Sequence, residues 1–401
     1  MPAGSELAGE QPRRSVDQIL NDRTQSYDEK RYELLMLYSR GVLDSHEWIR
    51  VNAVLRRQQH DDAAEKRRRD PVGTLEAELR ELEDDKRRHP APQELRNDDE
   101  VRRGPLPLEE ANAELSQPAV FDPAMYPSYA VRPGEPRFDN AARASAWYQQ
   151  RRRVMQTILA AIAASDLRDR LILRGSAAMA AWFPDRARQP GDLDFVVHPA
   201  TMRADSDEAT ALLRDLQTAV RGTVIDDATA IADRDFATTD IWTYERAEGR
   251  RLVVPWLNRW DPGLSGTIQI DLVFEDELLE PAGLQSITLD ESPPVAVWLA
   301  SRELSLAWKI QWLAGDNYPM GKDLYDAVLL VESLDTCEAI PALVSALVSR
   351  DAKPGEGTTT WASVRFELPC PTEWAEFVSE YPHVTDREST YWRRLLSQLP
   401  P

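Results

Sequence analysis

Two acids on alternate positions of a short apolar strand, just after a Gly-Ser helix start, restrict the fold of this chain more than any other feature. Residues 172–197 read ILRGSAAMAAWFPDRARQPGDLDFVV. The order predicts a strand through Leu171, Ile172 and Leu173, a small-residue helix opening at Gly175-Ser176, a loop, and a second strand carrying Asp192 and Asp194. Residues i and i+2 of a strand point to the same face, so the two carboxylates project together. Buried like charges at that spacing repel, and a divalent cation is the simplest relief. Downstream, GTIQIDLVF (266–274) predicts another strand with one acid, Asp271, inside an apolar run.

Three carboxylates on adjoining strands beside a Gly-Ser helix start are suited to hold one or two Mg²⁺ ions against a nucleoside triphosphate (NTP), which is the chemistry of nucleotidyl transfer. Asp192, Asp194 and Asp271 are the expected metal ligands and catalytic acids. Gly175 lets the backbone turn tightly and approach a ligand. Ser176 falls at a helix N-terminus, where free N–H groups and the helix dipole favour phosphate, and its hydroxyl is expected to donate to a phosphate oxygen. A carboxylate not wholly committed to metal serves as general base, with Asp271 the natural candidate. Each part alone has a plainer reading: a turn or helix cap for Gly-Ser, a strand end for Asp-Leu-Asp, half of an ion pair for Asp271.

At 401 residues the chain has room for two or three domains, and 42% hydrophobic residues support a sizeable core. No run approaches the ~20 apolar residues of a membrane span. The N-terminal MPAGSELAGEQPRRS lacks the apolar stretch of a signal peptide, so a cytoplasmic protein without membrane association is expected. Cys337 and Cys370 are too few for a disulfide framework, and with five scattered histidines they show no zinc spacing. With 68 acids against 48 bases, a net charge of -20 argues against a broad surface tracking a phosphate backbone. RNA contact must then be local, with Arg151-Arg152-Arg153 and Arg186/Arg188 as footholds; a solvated helix face is the competing reading of the triplet.

Residues 1–120 are dominated by charge, as in RRQQHDDAAEKRRRD. Leu75, Leu79 and Leu82, and upstream Tyr32, Leu35 and Met36, have helical spacing. A charged helical, partly disordered extension is expected there, closing in a linker marked by Pro90, Pro92, Pro105, Pro107 and Pro118. Residues 121–300 read as the core: an extended strap at 121–140, a helix over 141–164 with Trp147, Val154, Ile158 and Ile162 on one face, the two motif strands, a helix over 208–220, then the strands DIWTY, RLVVPW, TIQIDLVF and VAVWLA. Residues 301–401 read as a helical C-terminal domain. The fold class is α+β with a mixed sheet.

A second cluster lies in SLAWKIQWLAGDNYPMGKDLYDAVLLVE (305–332). Lys309 sits among Leu306, Trp308, Ile310 and Leu313 on an amphipathic helix, where a buried ammonium needs an anion; a snorkelling surface lysine is the alternative. Asp323 stands near the start of the next helix, favourable to its dipole, with Asp326 one turn on.

Taken together, RGSAAM, GDLDFVV, SLAWKIQWL and GKDLYDAVLL resemble, in order, the four blocks of the AbiEii/AbiGii nucleotidyltransferase toxin family, a branch of the polymerase-beta-like superfamily, over roughly residues 140–335. The resemblance implies a polymerase-beta-like core and an enzyme of a type IV toxin–antitoxin or phage-defence system. Such an enzyme moves a nucleotide from an NTP to an RNA acceptor such as tRNA, and a cognate antitoxin is its protein partner. By position, Gly175 and Ser176 cradle phosphates, Asp192 and Asp194 hold Mg²⁺, Lys309 neutralises the triphosphate and Asp323 is the last catalytic acid. The acidic balance and the long N-terminal region depart from the family pattern. They keep two other readings open: transfer to a protein or a small molecule such as an aminoglycoside, or a catalytically silent nucleotide-binding partner protein.

Overall fold

The computed structural model describes residues 15–26, scattered positions from 29 to 80, the strand residues 115–116 and 119–121, and then 131–243, 247–274, 277–316, 319–351 and 360–400. The helical spacing at Leu35, Met36, Leu75, Leu79 and Leu82, the linker prolines and much of the 121–140 strap lie outside the described residues. The chain divides into two compact units, residues 1–74 and 75–401. In the first, a short helix over Val16–Leu20 opens with a reciprocal Ser15/Gln18 capping box. Ile19 joins Leu34, Leu37, Val51 and Leu55 in a small apolar cluster.

The second unit is built on an eight-stranded mixed sheet. In chain order its strands are β1 (Leu171–Arg174), β2 (Asp192–Val197), β3 (Thr229–Ile231), β4 (Ala237–Thr243), β5 (Ala247–Asn258), β6 (Gly266–Val273), β7 (Gly283–Ile287) and β8 (Val295–Leu299). They lie in the order β7-β8-β1-β2-β6-β5-β3, with β4 also pairing along β5. The β8/β1 and β2/β6 pairs are parallel and the others antiparallel. The first helices are α1 (Ala141–Ala163), α2 (Gly175–Trp182) and α3 (Asp207–Val220). They are followed by α4 (Arg302–Gly315), α5 (Gly321–Val331), α6 (Ile340–Asp351), α7 (Trp361–Glu367), α8 (Trp374–Glu380) and α9 (Glu388–Gln398).

Strand alternation gives the sheet two apolar faces. Leu171, Leu173, Leu193, Phe195, Ile268 and Ile270 join one core with the Trp147, Ile158 and Ile162 stripe of α1 and Leu212 and Leu216 of α3. Asn140 caps α1 by accepting from the N–H groups of Ala142 and Arg143, and Ser206 caps α3 through Ala209. Ile172 and Val196 point the other way, into a second core with Met179 of α2 and the helices from α4 to α9. Of the sheet strands and helices named above, the sequence reading did not single out β3, β7 or α7. β7 is GLQSI at the sheet edge, with alternate residues exposed and no strong apolar pattern. No described helix is long and apolar enough to cross a membrane.

Candidate active site

The three expected acids meet on one face of the sheet. Leu193 and Phe195 turn into the first core, so Asp192 and Asp194 face the opposite side. On β6, Ile270 and Leu272 do the same for Asp271. The parallel register sets Asp194 opposite Asp271 and Asp192 opposite Gln269. One carboxylate oxygen from each acid lies within 4.8 Å of the other two. Asp271 is buried, whereas Asp192 and Asp194 keep part of their surface open.

Gly175 and Ser176, the first residues of α2, hold this cluster from the end of β1. Gly175 has φ +71°, a left-handed backbone that disfavours any side chain, and a Cβ there would overlap the Asp194 carboxylate. The first turn of α2 carries no side-chain cap. Ser176 is buried and its hydroxyl donates to Asp192 Oδ1 at 2.8 Å. The group expected at a phosphate therefore orients a carboxylate in this structure.

Burial raises the carboxyl pKa of Asp194, and the nearby charges of Asp192 and Asp271 push it up to about 8. Burial also raises Asp271, against the opposing pull of Arg251. Burial would lift Asp192 too, but Arg188, Lys322, the Ser176 hydroxyl and Arg251 bring it below the usual carboxylate range. Three hard oxygen donors, one of them held neutral by crowding, fit a divalent cation whose charge relieves the repulsion.

Among the described residues four cations act on the acids; of these only Arg188 was expected near the site, as an RNA foothold and not as a partner of the acids. Arg251 sits opposite Asp271 in the β5/β6 register and binds it through two hydrogen bonds of 2.7 Å. Arg174, opposite Asp194, is buried and stacks 5.0 Å from the centre of the Trp308 ring. Arg188 and Lys322 act on Asp192 from the α2–β2 loop and the start of α5. Only strand register could have flagged Arg251 and Arg174, and register is not readable from one chain.

The second cluster forms as a closed ion group. Lys309 Nζ lies 2.7 Å from Asp323 Oδ1 and 3.2 Å from Asp326 Oδ2, all three side chains being buried. Burial alone would lower the lysine pKa; the two aspartates reverse this and hold it above the ordinary value. Arg188 reaches Asp326 Oδ2 at 3.3 Å and also acts on Asp192, linking the two clusters. Lys309, expected to face a triphosphate, thus has two carboxylates as counter-charges. Asp326, read as a helix-face partner, is fully buried.

The arginine footholds are otherwise engaged. Arg151 is buried against Glu135 at 2.9 Å, neither solvated nor available to RNA. Arg153 pairs with Asp226 at 3.1 Å and Arg186 with Glu332 at 2.8 Å, while Arg152 hydrogen-bonds Gln189 at 2.6 Å.

The family model of the nucleotidyl transferase AbiEii toxin, from type IV toxin–antitoxin systems, matches residues 157–397. The match extends through α9, beyond the span expected from the four blocks. Among solved structures, the chain is similar to MenT4, a nucleotidyltransferase toxin from Mycobacterium tuberculosis. The TM-score is 0.44 with 13% identity, covering 64% of this chain and 84% of that one. An antigenic nucleotidyltransferase-like protein from Paracoccidioides brasiliensis aligns with TM-score 0.31 and 16% identity, covering 60% and 92%. No curated protein matches the sequence. The family model runs from within α1 to the end of the last helix, more than half of the chain, and on that match the protein belongs to the AbiEii family of nucleotidyltransferase toxins.

Proposed function

We propose that the protein is a Mg²⁺-dependent toxin that transfers a nucleoside monophosphate from an NTP to the end of an RNA, with tRNA as the acceptor, in the cytoplasm and under the control of an antitoxin protein. The observation that carries the reading is the convergence of Asp192, Asp194 and Asp271 on one sheet face beside the uncapped start of α2. These three acids would hold the metal, and the free N–H groups of α2 would receive phosphate oxygens. Bound there, one or two Mg²⁺ ions would supply charge neutralisation for the triphosphate and a lowered pKa for the attacking hydroxyl. Gly175 allows β1 to approach Asp194 closely, and Ser176 fixes the Asp192 carboxylate. Arg251 takes both oxygens of Asp271, so Asp271 serves as a ligand more readily than as a free base. Lys309 and Asp323 support the site through Asp326 and Arg188.

A second reading of the acceptor is favoured by the net charge of -20 and by the engaged arginines. It keeps the transfer chemistry and sends the nucleotide to a protein or a cationic hydroxyl compound. One experiment tests both. Purified protein is incubated with Mg²⁺, each labelled NTP in turn and total tRNA, beside Asp192→Ala/Asp194→Ala. Label on tRNA that requires the carboxylates supports the RNA acceptor. Label only on protein or on a small lysate component moves the acceptor, and no transfer to anything refutes the proposal.

A further inference from the structure

We infer that Glu135 and Arg151 are positioning residues for the metal site: their ion pair packs against Gly191 and fixes the position of Asp192 at the start of β2. The inference rests on the metal-binding reading of the acids and deepens it by naming what holds one of them in place.

Gly191 ends the α2–β2 loop, directly before Asp192. Its backbone does not require glycine, because the left-handed glycines among the described residues are Gly175 and Gly222. What excludes a side chain is the ion pair. A Cβ at Gly191 would lie 3.0 Å from Arg151 Nη2 and 3.3 Å from Glu135 Oε1, tighter than ordinary van der Waals contact. Neither group is loose enough to give way. Arg151 Nη1 donates to Glu135 Oε2 at 2.9 Å, with 7% and 17% of the two side chains exposed, and the guanidinium lies 5.4 Å from the centre of the Trp147 ring. Glu135 is held in turn. Its N–H donates to Glu380 Oε1 at 2.9 Å, and beside it Tyr148 donates to the Pro136 carbonyl at 2.6 Å. Arg137 donates to the Ser379 carbonyl, so residues 135–137 join α1 to α8. Arg152 adds a second tie from α1 to the same loop, donating to Gln189 Oε1 at 2.6 Å.

A buried pair of this kind gains little net stability, since desolvation offsets the attraction. Its fixed geometry is what it contributes. A shift at Gly191 reaches Asp192 through a single peptide unit, which is planar and stiff, and metal ligation tolerates errors of only about 0.2 Å. The Ser176 hydroxyl holds the Asp192 carboxylate, whereas the Glu135–Arg151 pair holds the main chain that carries it. Glu135 and Arg151 both precede residue 157, where the family match begins, so this support is built outside the matched span.

The test uses the full chain, with Mn²⁺ alone as the probe and denaturant unfolding measured beside it. Gly191→Ala introduces the excluded methyl and should weaken Mn²⁺ binding to the folded chain by about tenfold. Arg151→Lys removes the crowding Nη2 and keeps the charge. Added to Gly191→Ala, it should bring affinity back to within about threefold of wild type, a coupling that two independent losses do not give. Glu135→Gln leaves Arg151 without its counter-charge and should also weaken Mn²⁺ binding by about tenfold, most of which Glu135→Asp should recover. A pair that only stabilised the fold would lower the unfolding midpoint and leave the affinity of the folded chain unchanged. Should Gly191→Ala not fold, the two Glu135 variants carry the same comparison. Wild-type Mn²⁺ affinity in the folded Gly191 and Glu135 variants, or a Gly191→Ala loss that Arg151→Lys does not relieve, overturns the inference and leaves the metal reading intact. A wild-type chain that binds no Mn²⁺ refutes the metal reading and the inference together.

Discussion

Metal binding should release a proton, and Asp194 is the residue that decides how much. With its carboxyl pushed up to about 8 by burial and by Asp192 and Asp271, it is protonated in the metal-free chain at neutral pH. A dication needs the carboxylate, so apparent affinity follows the ionised fraction, roughly 1% at pH 6 and about half at pH 8. Affinity for Mg²⁺ or Mn²⁺ should therefore rise about fiftyfold over that interval, with about 0.9 proton released per ion at pH 7. Asp271, raised in the same sense, adds to the effect. The linkage also has a sign for stability. The folded metal-free chain keeps a proton that the unfolded chain loses near pH 4, so stability falls as pH rises toward about 8, and metal reverses the fall. Calorimetric titration in buffers of different ionisation enthalpy counts the protons directly. Asp194→Asn should bind metal weakly and with a shallower pH slope. Equal affinity at pH 6 and pH 8 in the wild-type chain, or no proton release at pH 7, would refute the reasoning.

Three further outcomes can be checked by unfolding and activity. Gly175→Ala should cost about 1–2 kcal/mol for the left-handed backbone alone. It should also abolish transfer by displacing Asp194; near-normal turnover would show that Asp194 need not sit where it does. Lys309→Met leaves Asp323 without its cation and Asp326 with Arg188 alone, and should lose about 3–5 kcal/mol in denaturant unfolding, with much of it returned by adding Asp323→Asn. Additive losses would argue against the ion group. Glu388 is buried, accepts from the Thr372 N–H and the Trp392 indole, and burial lifts its pKa to about 7. Its raised pKa favours the folded state below about pH 4.5, and that advantage is lost as pH rises through about 7. Glu388→Gln should thus stabilise the chain by up to about 3 kcal/mol above pH 7 and do little at pH 4, measured as melting temperature against pH.

Much of the core was legible because local pattern and tertiary environment agree. The α1 stripe of Trp147, Val154, Ile158 and Ile162 is buried as its spacing implies, and the helix ends within a residue of expectation. The Asp-Leu-Asp alternation places two carboxylates on one face because strand periodicity is a local property. The edge strand β7 was not legible, since GLQSI buries too little to leave a period. Nor was the short helix α7, where Val364 is the one buried residue and a single apolar position sets no spacing.

The sequence by itself determined that Asp192 and Asp194 share a face and that the backbone turns tightly at Gly175, and it set the order of blocks that carries the family resemblance. All of these follow from neighbours within a few residues, or from composition along the chain. Tertiary structure alone decided the partners of each charge. Pairing β6 with β2 in parallel brought Asp271 to Asp194, and pairing β5 with β6 gave Asp271 its Arg251. Packing α4 against α5 closed Lys309 onto Asp323 and Asp326. The sign and spacing of charges are written in the chain, but a Coulomb energy depends on distance and local dielectric, and both exist only once the strands and helices have been brought together.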